Sequence, residues 1–341
     1  MSTTPTTADT DTDIKLKTPD SVLNIAVLSG GKSAEADVSR SSAKGVIAAL
    51  RQHSNYAVTS VELDKNVTQE LAKLQPDVVF PALHGPPGED GTVQGMLEML
   101  TLPYVGSGVQ PSAFAMDKAV AKALFRRADL PVARDLVYRS NPNETDLGAA
   151  KIAADIAVQL GEKVVIKPMQ QGSALGVTPL PNGGDLTAAV AEALALGEQI
   201  LVEPFIAGRE ITVGVLDLFG QQPVAHPVIE ILTADDEWYD YNNRYAEGAS
   251  KHVVPAPMDE AEAQQLQQIA LTAHQVLGLR DLSRADFIVP PNGDPVLLEV
   301  NTLPGMTPTS LYPDGAKALG LDFPQLLSAL VESAMQRAAQ S

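Results

Sequence analysis

The residues best equipped for chemistry lie in Ser283–Asn301, which reads Ser-Arg-Ala-Asp-Phe-Ile-Val, then Pro-Pro-Asn-Gly-Asp-Pro, then Val-Leu-Leu-Glu-Val-Asn. Two β-rich runs joined by a loop holding Asn292-Gly293 predict a hairpin. With Val289 opposite Val296, Phe287 faces Leu298 and Ala285 faces Val300 on an apolar side. Asp286 then faces Glu299, and Arg284 faces Asn301, on the other side. Two carboxylates directly opposite repel each other. A fold keeps such a pair when a cation binds between them or one carboxyl stays protonated. Asp286, Glu299 and Asn301 offer only oxygen to a metal, which suits Mg²⁺ or Mn²⁺ rather than zinc. Mg²⁺ held by one or two carboxylates is commonly shared with nucleotide phosphates. Arg284 would neutralise a phosphoryl oxygen or an oxyanion. The competing reading is a solvated polar face with an Arg–Asp surface pair. The run after it, Thr302–Ser310, is rich in Gly, Pro and small hydroxyls, so it reads as a loop presenting N–H groups beside the pair.

Other segments carry weaker chemical signals. Lys167 ends the apolar run Val164–Ile166 and precedes the loop Gln171–Gly176, whose backbone N–H groups could form an anion nest over phosphates. The stretch 233–253 is long for a loop and holds Trp238, Tyr239, Tyr241 and Tyr245, an aromatic density expected of a lid.

The elements that must position these groups alternate in type. Strands are expected at Val22–Ser29, Val58–Leu63 and Val78–Pro81, with helices at 38–50, 68–74 and 91–100. This alternation implies a parallel sheet over residues 21–106. Gly106-Ser107-Gly108 and Pro111 mark a boundary. A second unit, 107–207, holds helices near 117–127, 145–160 and 185–195. Its strands are expected near 132–138, 163–167 and 199–203. A third, 208–341, holds strands near 211–216, 224–230, 283–289 and 296–300. A helix is expected over 260–277, and two more end the chain. Residues 1–20 are mostly Thr, Ser, Asp and Pro and read as a disordered tail without the features of a targeting peptide.

Bulk properties narrow the function. There are 24 basic and 42 acidic residues, a net charge of −18, which disfavours nucleic acid and anionic lipid as partners. The absence of cysteine excludes disulfides and thiolate catalysis, and permits a reducing, cytoplasmic setting. No apolar run is long enough to span a membrane.

Three separated motifs resemble the D-alanine–D-alanine ligase family of the ATP-grasp superfamily. They are Leu28–Ser39 with its Gly-Gly turn, His84–Glu98 followed by Leu102–Gly108, and Glu299–Pro313. The resemblance covers about residues 22–335. It implies a three-domain α/β ATP-grasp fold, with an N-terminal parallel-sheet domain and ATP bound between the central and C-terminal domains. It also implies ligation of two D-alanines through a D-alanyl-phosphate, with ATP as co-substrate and two Mg²⁺ or Mn²⁺ ions, in a cytoplasmic homodimer feeding peptidoglycan precursor synthesis.

The resemblance also implies residue roles. Asp286, Glu299 and Asn301 match the metal ligands, and Arg284 the arginine that stabilises the transferring phosphoryl group. Lys118 and Lys167 match phosphate-binding lysines, with Arg244 replacing a common lysine before the lid tyrosine. Glu203, Phe205 and Ile206 match the adenine hinge, and Glu210 the ribose acid. Plain core is the alternative for Phe205 and Ile206. Glu35 matches the carboxylate that binds the first D-alanine's ammonium, with Ser173 and Tyr245 as its partners. A bare helix-start charge is the alternative for Glu35. Gly305 matches an oxyanion donor, while Ser310 and Leu311 match the holders of the second D-alanine's carboxylate. His84 lies near that region and is either a contact or part of a turn.

The resemblance also implies, through Tyr245, the dipeptide rather than a depsipeptide product. Gln171, Ala174, Pro204 and Asp37 depart from the usual family pattern. They leave open an acceptor such as D-lactate, D-serine or another small amino acid. A non-catalytic nucleotide-binding module is the remaining rival.

Overall fold

The computed structural model describes residues 22–140, 146–170, 172, 174–233 and 250–340. Among these, three sheets form. The first joins β1 (Leu23–Ser29), β2 (Tyr56–Glu62) and β3 (Val78–Pro81) in the parallel order β2-β1-β3. Parallel neighbours need crossovers, which α1 (Ala36–Leu50) and α2 (Val67–Leu74) supply. Only Asn24 is exposed on β1, as expected of a central strand covered on both faces. Helix α3 (Thr92–Met99) follows.

Just beyond the Gly106-Ser107-Gly108 stretch, a helix not expected from the sequence forms, α4 (Val109–Met116). Pro111 sits in its first turn, where a missing N–H is tolerated. Asp117 ends α4 and caps α5 (Lys118–Arg127), its Oδ1 accepting from the N–H groups of Ala119 and Val120 at 3.0 and 3.1 Å.

The second sheet has the antiparallel order β4-β7-β5-β6, from β4 (Leu136–Arg139), β5 (Val164–Pro168), β6 (Thr178–Pro179) and β7 (Gln199–Pro204). Helices α6 (Asp146–Gln159) and α7 (Leu186–Ala195) cover one face. Ile156 and Val190 pack there on Val164, Ile166, Ile200 and Val202.

The third sheet holds β8 (Arg209–Asp217), β9 (Val224–Ala225), β10 (Ile229–Thr233), β11 (Ser250–Val253), β12 (Asp281–Val289) and β13 (Val296–Asn301). Its order is β11-β10-β8-β12-β13, with β9 paired to β8. The single strand expected over 224–230 is two, because Pro227 lacks the N–H a continuous ladder requires. Helix α8 (Glu260–Leu277) packs on this sheet, capped by Asp259 and ended by Gly278 at φ 71°.

The chain end returns to its beginning. Helices α9 (Leu311–Ala318) and α10 (Phe323–Ala338) place Leu326, Leu327 and Leu330 in one core with Ile25 and Val46. Asp281, which is fully buried, locks this junction. Its carboxylate accepts from Arg337 Nη1 and Nη2 at 2.8 Å, Ser333 Oγ at 2.7 Å and the Gly106 N–H at 2.8 Å.

His226 is fully buried against Tyr312, and neither ring nitrogen has a hydrogen-bond partner among the described residues. Burial pushes its pKa down to about 3. Unfolding lets the ring take a proton near pH 6.5, so this group's stabilising contribution holds above that pH and is lost as pH falls. By pH 4.5 the loss reaches about 2–3 kcal/mol. Urea unfolding of wild type and His226→Gln, compared at pH 8 and pH 4.5, should show the wild type losing that much more than the variant. Parallel losses would contradict the assignment.

Candidate active site

Strands β12 and β13 put Arg284 opposite Asn301, Ala285 opposite Val300 and Asp286 opposite Glu299. Beyond Asp286 the register shifts, so that Phe287 faces Leu297 and Ile288 faces Val296. The expected pairs Phe287–Leu298 and Val289–Val296 therefore do not form. The cause is packing: Leu297 and Val300 are both buried although three residues apart, which strict alternation forbids. A bulge at Leu298 puts both on the core side and keeps the polar side in register.

Arg284 donates from Nε and Nη2 to Asp286 Oδ1 and Oδ2 at 2.8 and 2.7 Å. Asn301 Nδ2 reaches Asp286 Oδ2 at 3.0 Å, and Thr212 Oγ1 donates to Oδ1 at 2.6 Å. The Arg284 and Asp286 side chains are only 10% and 13% exposed, so the solvated surface pair is not what forms. Lys118 Nζ stands 3.7 Å from Glu299. Glu299, Asn301, Lys118 and Gly172 line a cleft. Two carboxylates and a carboxamide on adjacent strands form an all-oxygen donor set that fits Mg²⁺ or Mn²⁺.

Beside this hairpin the second sheet builds a charged node. Glu203, near the end of β7, lies between two lysines. Lys167 Nζ, on β5, donates to its Oε2 at 2.5 Å, and Lys122 Nζ, on α5, donates to its Oε1. Burial works to raise the Glu203 pKa, but the charges of Lys167 and Lys122 outweigh it and hold the carboxyl below its usual range. Burial likewise lowers the Lys122 pKa, against the opposing pull of Glu203. Phe205 and Ile206 follow β7, are partly exposed and join no core cluster among the described residues. Glu210 lies on β8 opposite Ile231 and Ile288.

On the N-terminal side, Glu35 precedes α1 and is 4% exposed. A Cβ added to Gly85 or Gly172 would come within 2.6 or 2.8 Å of its Oε2, so glycine at both positions lets this carboxylate sit between the two loops. Glu89 lies nearby, with its Oε2 accepting from the Gly85 N–H at 2.7 Å. Burial first, then the charge of Glu35, pushes its pKa up to about 8. His84 is buried, its Nε2 2.9 Å from Ser42 Oγ, and its ring also bonds the Leu303 backbone. Burial lowers its pKa to about 4, which keeps the ring neutral at pH 7. These contacts give His84 a part in joining the 84–89 turn to the 302–310 loop.

In that loop Ser310 Oγ accepts from the Thr307 N–H at 3.1 Å and lies 2.7 Å from Thr307 Oγ1. A Cβ on Gly305 would come within 3.1 Å of Ser310 Oγ, so Gly305 and Ser310 are neighbours. Leu311 opens α9 and packs on Ile229 and Ile231. Ser173, Arg244 and Tyr245, with Gln171 and the other aromatics of the 233–253 stretch, lie outside the described residues.

Comparison with known proteins settles the family. Residues 124–332 match the family described as D-ala D-ala ligase C-terminus, and residues 62–107 match D-ala D-ala ligase N-terminus. A D-alanine–D-alanine ligase from Halalkalibacterium halodurans is 44% identical over 316 residues, covering 92% of this chain and 100% of the relative.

The chain belongs to the D-alanine–D-alanine ligase family.

Its fold is the ATP-grasp fold of this ligase family. The solved D-alanine–D-alanine ligase from Bacillus anthracis complexed with ATP matches at a TM-score of 0.77 and 28% identity, covering 94% of this chain and 99% of that one. The VanG D-Ala:D-Ser ligase from Enterococcus faecalis matches at 0.76 and 28%, covering 92% and 99%.

Three residues at this ligase-family site escaped sequence reasoning. Lys122 is four residues after Lys118 on one helix face, a spacing that could have flagged it. Thr212 faces Asp286 from β8, a cross-strand relation visible only once the strands are paired. Glu89 lay inside the motif His84–Glu98, but its bond to the backbone of the distant Leu303 is visible only in the folded chain.

Proposed function

We propose that the protein joins two D-alanines into D-alanyl-D-alanine, converting ATP to ADP and phosphate. The observation that carries this reading is the Asp286–Glu299 cross-strand carboxylate pair, flanked by Arg284 and Asn301 at the cleft. An oxygen of the first D-alanine's carboxylate forms a bond to the γ-phosphorus as the bond to the β–γ bridging oxygen breaks, releasing ADP. The second D-alanine's amine, having lost a proton, attacks the acyl carbon, and phosphate leaves. Glu35 holds the first ammonium. Lys118 and Lys167 bind the triphosphate, while Glu203, Phe205 and Ile206 receive adenine and Glu210 the ribose. Arg284 and the Gly305 N–H stabilise charge on the transferring phosphoryl group and the oxyanion. Ser310 Oγ and the Leu311 N–H hold the acceptor carboxylate. Two Mg²⁺ or Mn²⁺ ions at Asp286, Glu299 and Asn301, when bound, would neutralise charge on the triphosphate.

The units proposed are 21–106 for the first substrate, 107–207 for nucleotide capture and 208–341 for chemistry. A homodimer, cytoplasmic location and a place in peptidoglycan precursor synthesis belong to the same reading. Among the described residues no helix is long and apolar enough to cross a membrane.

Phosphate release from ATP and Mg²⁺ tests the proposal, with D-alanine, L-alanine, D-serine and D-lactate supplied singly and in pairs and products identified by mass. Release with D-alanine alone, yielding the dipeptide, is expected. Release only with a mixed pair would assign a variant ligase, and no substrate-dependent release would overturn the enzyme reading.

A further inference from the structure

The charged node around Glu203 has a composition that the ligation scheme does not require. Lys122, Lys167 and Arg126 bring three positive charges to two carboxylates, Glu203 and Asp135. Lys122 is central. Its side chain is 1% exposed, it pairs with Glu203, and its Nζ lies 3.3 Å from Asp135 Oδ1. Arg126 also pairs with Asp135. Lys167 pairs with Glu203 alone among the salt bridges of the described residues, and its side chain is 12% exposed.

We propose that Lys122 is a positioning residue that frees Lys167 for the nucleotide's phosphates, by remaining as counter-ion to Glu203 when Lys167 departs. The inference rests on the nucleotide-site reading of Lys167 and Glu203 above. The charge count carries it. When Lys167 swings to a triphosphate, Lys122 and Arg126 still balance Glu203 and Asp135, and no buried charge is stranded. Without Lys122, two cations face two carboxylates, and Lys167 becomes the sole partner of a carboxylate that is only 5% exposed. Releasing it would then leave a buried, unpaired anion, which is strongly unfavourable. Lys167 would stay on Glu203, and the phosphates would lose one of their two lysines.

The prediction distinguishes phosphate capture from adenine capture. Adenosine has no phosphates and makes no demand on Lys167. Affinities of a non-hydrolysable ATP analogue with Mg²⁺, and of adenosine, are measured by calorimetry and competition for the full chain and for Lys122→Met. The variant should lose roughly tenfold or more in affinity for the analogue and much less for adenosine. Lys122→Arg, which restores the charge, should recover most of the loss. Lys122→Gln carries the same comparison if the Met variant does not fold. Equal losses for both ligands would overturn the inference, since they would show only a distorted adenine slot. So would analogue binding that Lys122→Met and Lys122→Gln leave unchanged. A wild-type protein that binds neither ligand would overturn the nucleotide-site reading itself.

Discussion

Glu299→Gln is expected to slow ligation by about 10³-fold while leaving the fold intact, because it removes one of two carboxylates that face each other across β12 and β13. A factor of that size corresponds to about 4 kcal/mol of lost transition-state stabilisation. Stability should move the other way or not at all. The Glu299 side chain is 29% exposed and faces Asp286, so a neutral amide relieves repulsion without opening a cavity. Lys118, 3.7 Å away and 11% exposed, can still meet the oxygen of the isosteric amide and is not stranded by the change. The check is phosphate release at saturating substrates, alongside the melting temperature without nucleotide. Activity within tenfold of wild type would remove the carboxylate pair from the chemistry.

Asp281→Ala is expected to produce the largest loss of stability, about 3–5 kcal/mol, because breaking a buried ion pair from one side strands its partner. The carboxylate is fully buried and accepts from Arg337, Ser333 and the Gly106 N–H. Removing it leaves the Arg337 guanidinium, whose side chain is 17% exposed, without this anion at the junction between α10, β12 and the exit of the first sheet. Denaturant unfolding followed by fluorescence and by circular dichroism measures the change. A midpoint within error of wild type would show that apolar packing of α10 alone holds the chain ends together.

Much of the site was legible because it depends on local periodicity. The polar half of the β12–β13 register follows from alternation, and Arg284, Asp286, Glu299 and Asn301 fall on one side in the structure as in the sequence. The other half was not legible, because the bulge at Leu298 answers to the core beneath it. Helix α4 was hidden by Pro111, which reads as punctuation until its first-turn position is known. The short strands β6 and β11 carry too little pattern to announce themselves. Lys122 and Thr212 are polar residues whose partners lie 81 and 74 residues away, so their roles arise from tertiary pairing. The packing of α10 on the first sheet is of the same kind, since an amphipathic helix states that it has a buried face but not what covers it.

The central claim is that the cleft transfers phosphate to a D-alanine carboxylate before the peptide bond forms. D-alanine labelled with ¹⁸O in its carboxyl group, supplied with unlabelled ATP and Mg²⁺, tests it most directly. The account predicts one ¹⁸O in each phosphate released with a molecule of dipeptide, carried over from the donor carboxylate. Dipeptide formed with unlabelled phosphate would contradict an acyl-phosphate route through this site.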